Sequence, residues 1–118
     1  MDATPTVETV RASGWHNGGP PREPAGYGIK FTPADRDRYF DPEWAEVILE
    51  LDGGPEVAVP LSASFWRSCS ELRSADVGRW LLDNRAAPWP KQIPPHLAVR
   101  QVERNHFSVR LLQSKSLL

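Results

Sequence analysis

Two stretches of the chain alternate between hydrophobic and polar positions, and each predicts a β-hairpin. In residues 44–61, apolar side chains occupy every second position on both sides of Asp52-Gly53-Gly54, which is typical of a tight hairpin turn. Pro60 has no backbone N–H to donate, so the return strand is predicted to lie at a sheet edge or to end there. The second hairpin is predicted over residues 96–112, with its turn at 103–105.

Further periodic segments predict one more strand and a short helix. Residues 27–31 alternate as a strand does. Thr32 can then cap a helix, with Pro33 at its first position and Asp35 where a capping-box acid would stand. The helix is predicted to end at Asp41-Pro42, since the residue before a proline disfavours helical backbone.

The stretch FWRSCSELRSADVGRWL, residues 65–81, is predicted to be mostly helical. A short helix is expected at its start. A second helix is expected from Ser74, or a turn earlier from Ser70, to about Asn84, because its apolar residues recur every three or four positions. Gly78 inside that helix indicates that another backbone approaches closely.

These elements follow the order β-α-β-β-α-β-β, which predicts a single α+β domain over residues 26–112. Glycine and proline are concentrated at 18–24, so residues 1–25 are predicted to form a flexible tail. Residues 113–118 are expected to fray. Trp15 is unusual in a tail, and it either docks on the domain or contacts a partner.

Composition narrows the classes of function. The chain has 118 residues, 14 basic and 15 acidic, and a net charge of -1. This net charge does not indicate a nucleic-acid-binding protein, although charge can still be segregated on the surface. A single cysteine forbids an intramolecular disulfide and fits a reducing compartment. With neither a secretory leader nor an apolar run of about 20 residues, a cytoplasmic location and no membrane partner are expected.

Enzymatic chemistry is the least favoured class. Cys69 as a nucleophile needs a base, and the sequence places no histidine near it, so Cys69 is predicted to be a buried core residue. One cysteine and the three histidines, at 16, 96 and 106, lack the spacing of a recurring metal site. The sequence also contains neither a phosphate-binding loop nor a pair of acids whose spacing indicates general acid–base catalysis. We therefore expect no catalytic residue, no metal and no cofactor.

The chain also resembles known proteins. The segments that carry the resemblance are GIKFTPADRDRYF, WAEVILELDGGPEVAVPLS, SFWR, ELRSADVGRWL, APWPK and NHFSV. Across residues 26–111 it resembles a set of small, largely uncharacterised bacterial proteins. Its element order is similar to the DNA-binding pseudobarrel of plant B3-type transcription-factor domains and restriction-enzyme effector domains. That resemblance implies a small open β-barrel of about five to seven strands with two short helices, and two DNA-binding arms near residues 30–38 and 61–73.

The leading hypothesis is a non-enzymatic module that binds double-stranded DNA, in a regulatory or accessory role. Its candidate phosphate contacts are six basic residues: Lys30, Arg36, Arg38, Arg67, Arg73 and Lys91. Arginine dominates the basic residues, and its planar guanidinium suits bidentate phosphate contacts. The competing interpretation is that these side chains form local ion pairs. The hypothesis requires the arginines to share one face.

The alternative function is a protein-interaction module. The chain has five tryptophans, and Trp15 with Trp89 are the candidates for an exposed anchor, as tryptophans often are at interface centres. Burial of both rings within one chain would remove the main support for this alternative. A dimer formed by pairing of an exposed strand edge is a further variant, and the sequence leaves the oligomeric state open.

Overall fold

A computed structural model describes residues 9–67 and 70–112. It contains seven strands: β1 Thr9–His16, β2 Tyr27–Lys30, β3 Glu46–Leu51, β4 Glu56–Pro60, β5 Glu71–Arg73, β6 His96–Glu103 and β7 His106–Leu111. Three α-helices lie between them: α1 Pro33–Tyr39, α2 Ala63–Arg67 and α3 Ala75–Asp83. A single 3-10 turn, Pro24–Gly26, precedes β2.

The strands form one mixed sheet in the order β4-β3-β7-β6-β1-β2-β5. All neighbouring pairs are antiparallel except β3 and β7, which are parallel. The two end strands, β4 and β5, approach one another, so the sheet curls into a nearly closed barrel. The prediction of a small open barrel of α+β class is confirmed, with three short helices instead of two.

The barrel encloses one hydrophobic core, and both predicted hairpins contribute to it. In β3 and β4, Val47 lies opposite Val59 and Leu49 opposite Val57, all four buried. The second hairpin is confirmed as well, with β6 ending at Glu103 and β7 beginning at His106. β4 is an end strand of the sheet, as Pro60 predicts.

The prediction of a flexible tail is wrong for residues 9–16. They form β1, which pairs with β6 on one side and with β2 on the other. Val10 and Ala12 are buried in the core, but the inward positions of β1 are small, so the hydrophobic alternation is weak. The glycines and prolines at 18–24 belong to a connecting loop, closed by a 2.9 Å hydrogen bond from Asn17 N to Gly26 O. Residues 1–8 and the predicted fraying at 113–118 lie outside the described residues.

The stretch 65–81 contains a strand that the sequence did not predict. α2 ends at Arg67, and β5 pairs with β2 before α3 begins. A strand of three residues is too short to show a period of two. Cys69, predicted to be core, lies outside the described residues.

α3 confirms two local predictions. Ser74 caps it, its Oγ accepting a hydrogen bond from Val77 N at 3.2 Å. At Gly78, an added Cβ would overlap the carbonyl of Pro24, so glycine is required where the helix meets the 3-10 turn. α3 has nine residues, and among the described residues no helix is long and apolar enough to span a membrane.

Candidate nucleic-acid interface

Basic side chains gather on the outer surface of the barrel. Side chains alternate between the two faces of a strand, so residues in register on neighbouring strands share a face. The registers place one set of cations on the outer surface of β5, β2, β1, β6 and β7. We call it the basic face, and it comprises Arg11, Lys30, Arg73, Arg100 and Arg110.

Three of these arginines surround one alanine. Arg11 and Arg110 stand in register on either side of Ala98, so their Cα atoms lie about 10 Å apart, two strand spacings. Arg100 follows Ala98 on β6 on the same face, about 7 Å further along the strand. Within residues 9–67 and 70–112, no ion pair or hydrogen bond engages these three guanidinium groups. All three residues are exposed, so their guanidinium groups are accessible to an anionic partner.

Lys30 extends the basic face toward α1. Ser13 is in register with Lys30 on one side and with His96 on the other. A shallow depression there is lined by residues that include Arg11, Lys30 and His96. The acid in register with Lys30, Glu71, is buried and lies 3.4 Å from Arg73. Glu71 therefore partly offsets the charge of Arg73.

Arg73 is stacked on Trp15. Its Cζ lies 4.8 Å from the centroid of the indole ring, within the range of a cation–π contact. Gly28 stands in register between the two residues and has no side chain, which leaves room for a contact across two strands. The Arg73 side chain is still 61% exposed, so this cation remains accessible at the end of the basic face.

Acidic residues occupy the other part of the outer surface. The outward positions of β3 and β4 carry Glu46, Glu50 and Glu56, and neither strand contains a lysine or an arginine. Glu103, after a bulge in β6, pairs with His106 and adds a fourth acid at that end. Charge is thus segregated on the barrel even though the net charge is only -1.

Arg36, a predicted phosphate contact, has a structural role instead. Its side chain is 10% exposed. Nη1 donates to Phe65 O at 3.1 Å and to Ser70 Oγ at 3.3 Å, while Nε donates to Asp37 Oδ1 at 2.9 Å. A guanidinium held in this way does not reach a phosphate, so the prediction of a phosphate contact at Arg36 is wrong. For this residue, the local ion-pair interpretation is the correct one.

The other predicted cations are dispersed. Arg38 lies on α1, with its Cζ 5.4 Å from the Tyr39 ring centroid. Arg67 is exposed at the end of α2, and Lys91 is exposed in the loop between α3 and β6. None of the three lies on a strand of the basic face. Of the six predicted residues, the structure brings only Lys30 and Arg73 onto that face. The four predicted arginines therefore do not share one face, as the hypothesis required, and the basic face is formed mostly by other arginines.

Trp15 and Trp89 lie on opposite sides of β1. An added Cβ at Gly14 would come within 3.0 Å of Trp89 Cη2, so Trp89 packs on the side to which position 14 points. Trp15, the next residue, points the other way. Both rings are half-buried. They do not form the common anchor that the protein-interaction alternative requires.

Trp89 belongs to an aromatic group that closes one end of the barrel. Its ring centroid lies 5.4 Å from that of Tyr27 and 6.3 Å from that of His16. The Tyr27 hydroxyl donates to Pro21 O at 2.6 Å, and burial raises the pKa of this phenol above its ordinary value. These contacts hold the 18–24 loop and the proline-rich 88–95 loop against β1, which is a packing role.

Sequence reasoning missed Arg11, Arg100 and Arg110 as a group. Arg11 falls in the segment predicted to be a tail, and the alternation in the last hairpin shows only that Arg110 points outward. The signal that would have found the group is the order of the strands, which a single sequence does not contain.

Comparison of the chain with protein-family models, curated proteins and solved structures found no significant match. The resemblance to B3-type and effector-domain pseudobarrels therefore stays a prediction.

Proposed function

We propose that this chain is a non-enzymatic module that binds double-stranded DNA through the basic face. The observation that carries the proposal is the segregation of charge. Five cations occupy the outer surface of β5, β2, β1, β6 and β7, and glutamates occupy that of β3 and β4. A duplex offers a dense array of phosphates to such a surface, and the glutamates disfavour binding in the opposite orientation.

The three arginines around Ala98 are the main contacts. Among the residues that the structure describes, they have no internal ion pair to break, and each guanidinium can hold a phosphate oxygen pair in bidentate geometry. Arg11 and Arg110 are far enough apart to contact different phosphates. Binding of this kind depends little on base sequence, and it positions the protein for any base contacts from neighbouring loops.

The loops implied by the pseudobarrel resemblance adjoin this face. The first arm, residues 30–38, begins at Lys30 on β2, and the second, 61–73, ends at Arg73 on β5. Both arms would therefore flank a duplex held on the basic face, which supports DNA binding at this surface.

The first test is binding to a fluorescent random-sequence duplex, followed by anisotropy between about 50 and 200 mM salt. We expect the double variant R11A/R110A to weaken binding about tenfold or more and to reduce the slope of log K against log salt by roughly 2. The matched control is R22A/R79A, which changes the net charge equally at exposed positions off the basic face. Its affinity should stay close to that of the wild type.

Three outcomes would overturn the proposal. Absence of binding at the lowest salt would exclude phosphate-based recognition. Equal losses in the two double variants would exclude the basic face as the contact surface. Tighter binding to a single strand than to the duplex would assign the surface to a different nucleic acid.

The protein-interaction alternative retains one specific observation. Ile93 is 65% exposed. With Trp89, Leu111 and neighbouring prolines it lines the apolar part of an open groove at one end of the barrel, and Arg11 and Arg85 line the polar part. An exposed apolar groove is a common feature of binding surfaces. A partner that is lost by I93K and kept by R100A/R110A, which changes basic-face residues outside the groove, would favour this alternative.

A further inference from the structure

We propose that Glu50, Glu56 and His106 form a binding site for a divalent transition-metal ion, with zinc as the occupant. One ligand atom from each residue lies within 4.8 Å of the others. The three residues stand on three adjacent strands, β3, β4 and β7, and share the outer surface. The site lies on the acidic part of the barrel and shares no residue with the basic face.

The strand registers bring the two acids face to face. Glu50 lies directly opposite Glu56 in the antiparallel β3–β4 pair. Like charges at directly opposed positions destabilise a sheet. On the other side of β3, Glu50 is in register with Ser108 of β7, so His106, two residues earlier, is its diagonal neighbour on the same face. A cation at this corner would relieve the repulsion.

The imidazole of His106 points between the carboxylates without bonding to either. Its Nε2 lies 3.7 Å from an oxygen of Glu50 and 3.7 Å from an oxygen of Glu56, which is too long for a hydrogen bond. The same nitrogen is buried and finds no hydrogen-bond partner among the described residues. Buried nitrogens normally have a partner. An ion held between the three side chains would supply it.

The distances suit a small metal ion. With bonds of about 2.0–2.2 Å, two ligands placed tetrahedrally on zinc lie about 3.4 Å apart, so the 3.7 Å separations need only a small contraction. The three ligand atoms lie up to 4.8 Å apart. Rotation of the Glu56 side chain, which is 62% exposed, would shorten the widest of these separations.

The donor set favours zinc over magnesium or calcium. Imidazole nitrogen and carboxylate oxygen are both zinc ligands, and three protein ligands leave a fourth position for water. Magnesium and calcium prefer oxygen ligands in larger number. Bound zinc would join the β3–β4 hairpin to β7 across the parallel strand pair, and it would therefore stabilise the folded barrel.

The test is a calorimetric titration with zinc in a C69S background, so that the Cys69 thiol cannot act as a zinc ligand. We expect one equivalent to bind, with a rise in Tm. H106A and E56Q should each weaken binding about tenfold or more. The controls H96A and E46Q remove a histidine and a carboxylate from outer positions outside the cluster, and they should bind like the parent.

Cobalt provides a second readout, because its visible absorption reports the ligand geometry. H106A and E56Q are first checked for a native circular-dichroism spectrum, and E56Q alters an exposed side chain, so it preserves the fold. Retention of zinc by both variants, or no binding in the high-micromolar range, would overturn the site. Equal binding of magnesium and zinc would also refute the assignment.

Discussion

Arg36 connects α1 to α2 and to the segment before β5 from inside the protein. Its guanidinium donates to the backbone of Phe65 and to the Ser70 hydroxyl, and it lies 5.8 Å from the Trp66 ring centroid. A buried charge is tolerated only when its hydrogen bonds are satisfied. Here Asp37 supplies the counter-charge from a more exposed position. The Arg36 side chain thus links α1 to α2 and to the segment before β5 through hydrogen bonds of its guanidinium.

We predict that R36A lowers the free energy of unfolding by about 2–3 kcal/mol, because it leaves a carbonyl and a hydroxyl without their donor. R36K should recover only part of the loss, since an ammonium cannot reproduce the fork geometry. Urea denaturation measures both. The control R67A removes an exposed arginine and should change stability by no more than about 0.5 kcal/mol. Equal stability of R36A and R67A would contradict the structural role.

At the scale of elements, β1 completes the barrel although its sequence carries little hydrophobic signal. It lies between β6 and β2, and it places Val10 and Ala12 in the core and Arg11 on the basic face. The burial of β1 therefore depends on the neighbouring strands more than on its own apolar residues. Both the core and the candidate interface therefore depend on a segment that resembles a tail when it is read alone.

A pair of adjacent substitutions tests this placement. V10D puts a carboxylate into the core and should lower the unfolding free energy by more than about 3 kcal/mol or abolish folding. T9D puts the same group on the exposed face and should cost at most about 1 kcal/mol. Thermal and urea melts of the two variants give the comparison. If residues 9–16 did not join the sheet, V10D would be as mild as T9D.

At the scale of the whole molecule, a single curled sheet organises both the core and the surface charge. One cluster of buried side chains draws on all seven strands, and the outer surface changes from basic to acidic between β7 and β3. Neighbouring strands share both a core face and an outer face, so any change of strand order would rearrange the core and the charged surface together.

This organisation predicts one cooperative unfolding transition. Far-UV circular dichroism and tryptophan fluorescence should give coincident urea curves, since no part of the sheet has a core of its own. Two separate transitions, or a hairpin that melts before the rest, would show that the barrel is not a single cooperative unit.

Local signals in the sequence determined much of the secondary structure. Alternation with turn chemistry determined the two hairpins, Thr32 and Ser74 marked the helix starts, and Gly78 indicated a close backbone approach. These features depend on neighbours along the chain, so they can be read from it. β1 and β5 were missed because one has small inward residues and the other has only three residues.

Only the tertiary structure decided which outward residues meet. Arg11, Arg100 and Arg110 come from three strands, as do Glu50, Glu56 and His106, and no spacing along the chain marks either group. Arg36 likewise became a buried link because α2 packs over it. The physical reason is that hydrophobic burial selects the strand order, while the exposed side chains contribute little to that choice and are placed by it.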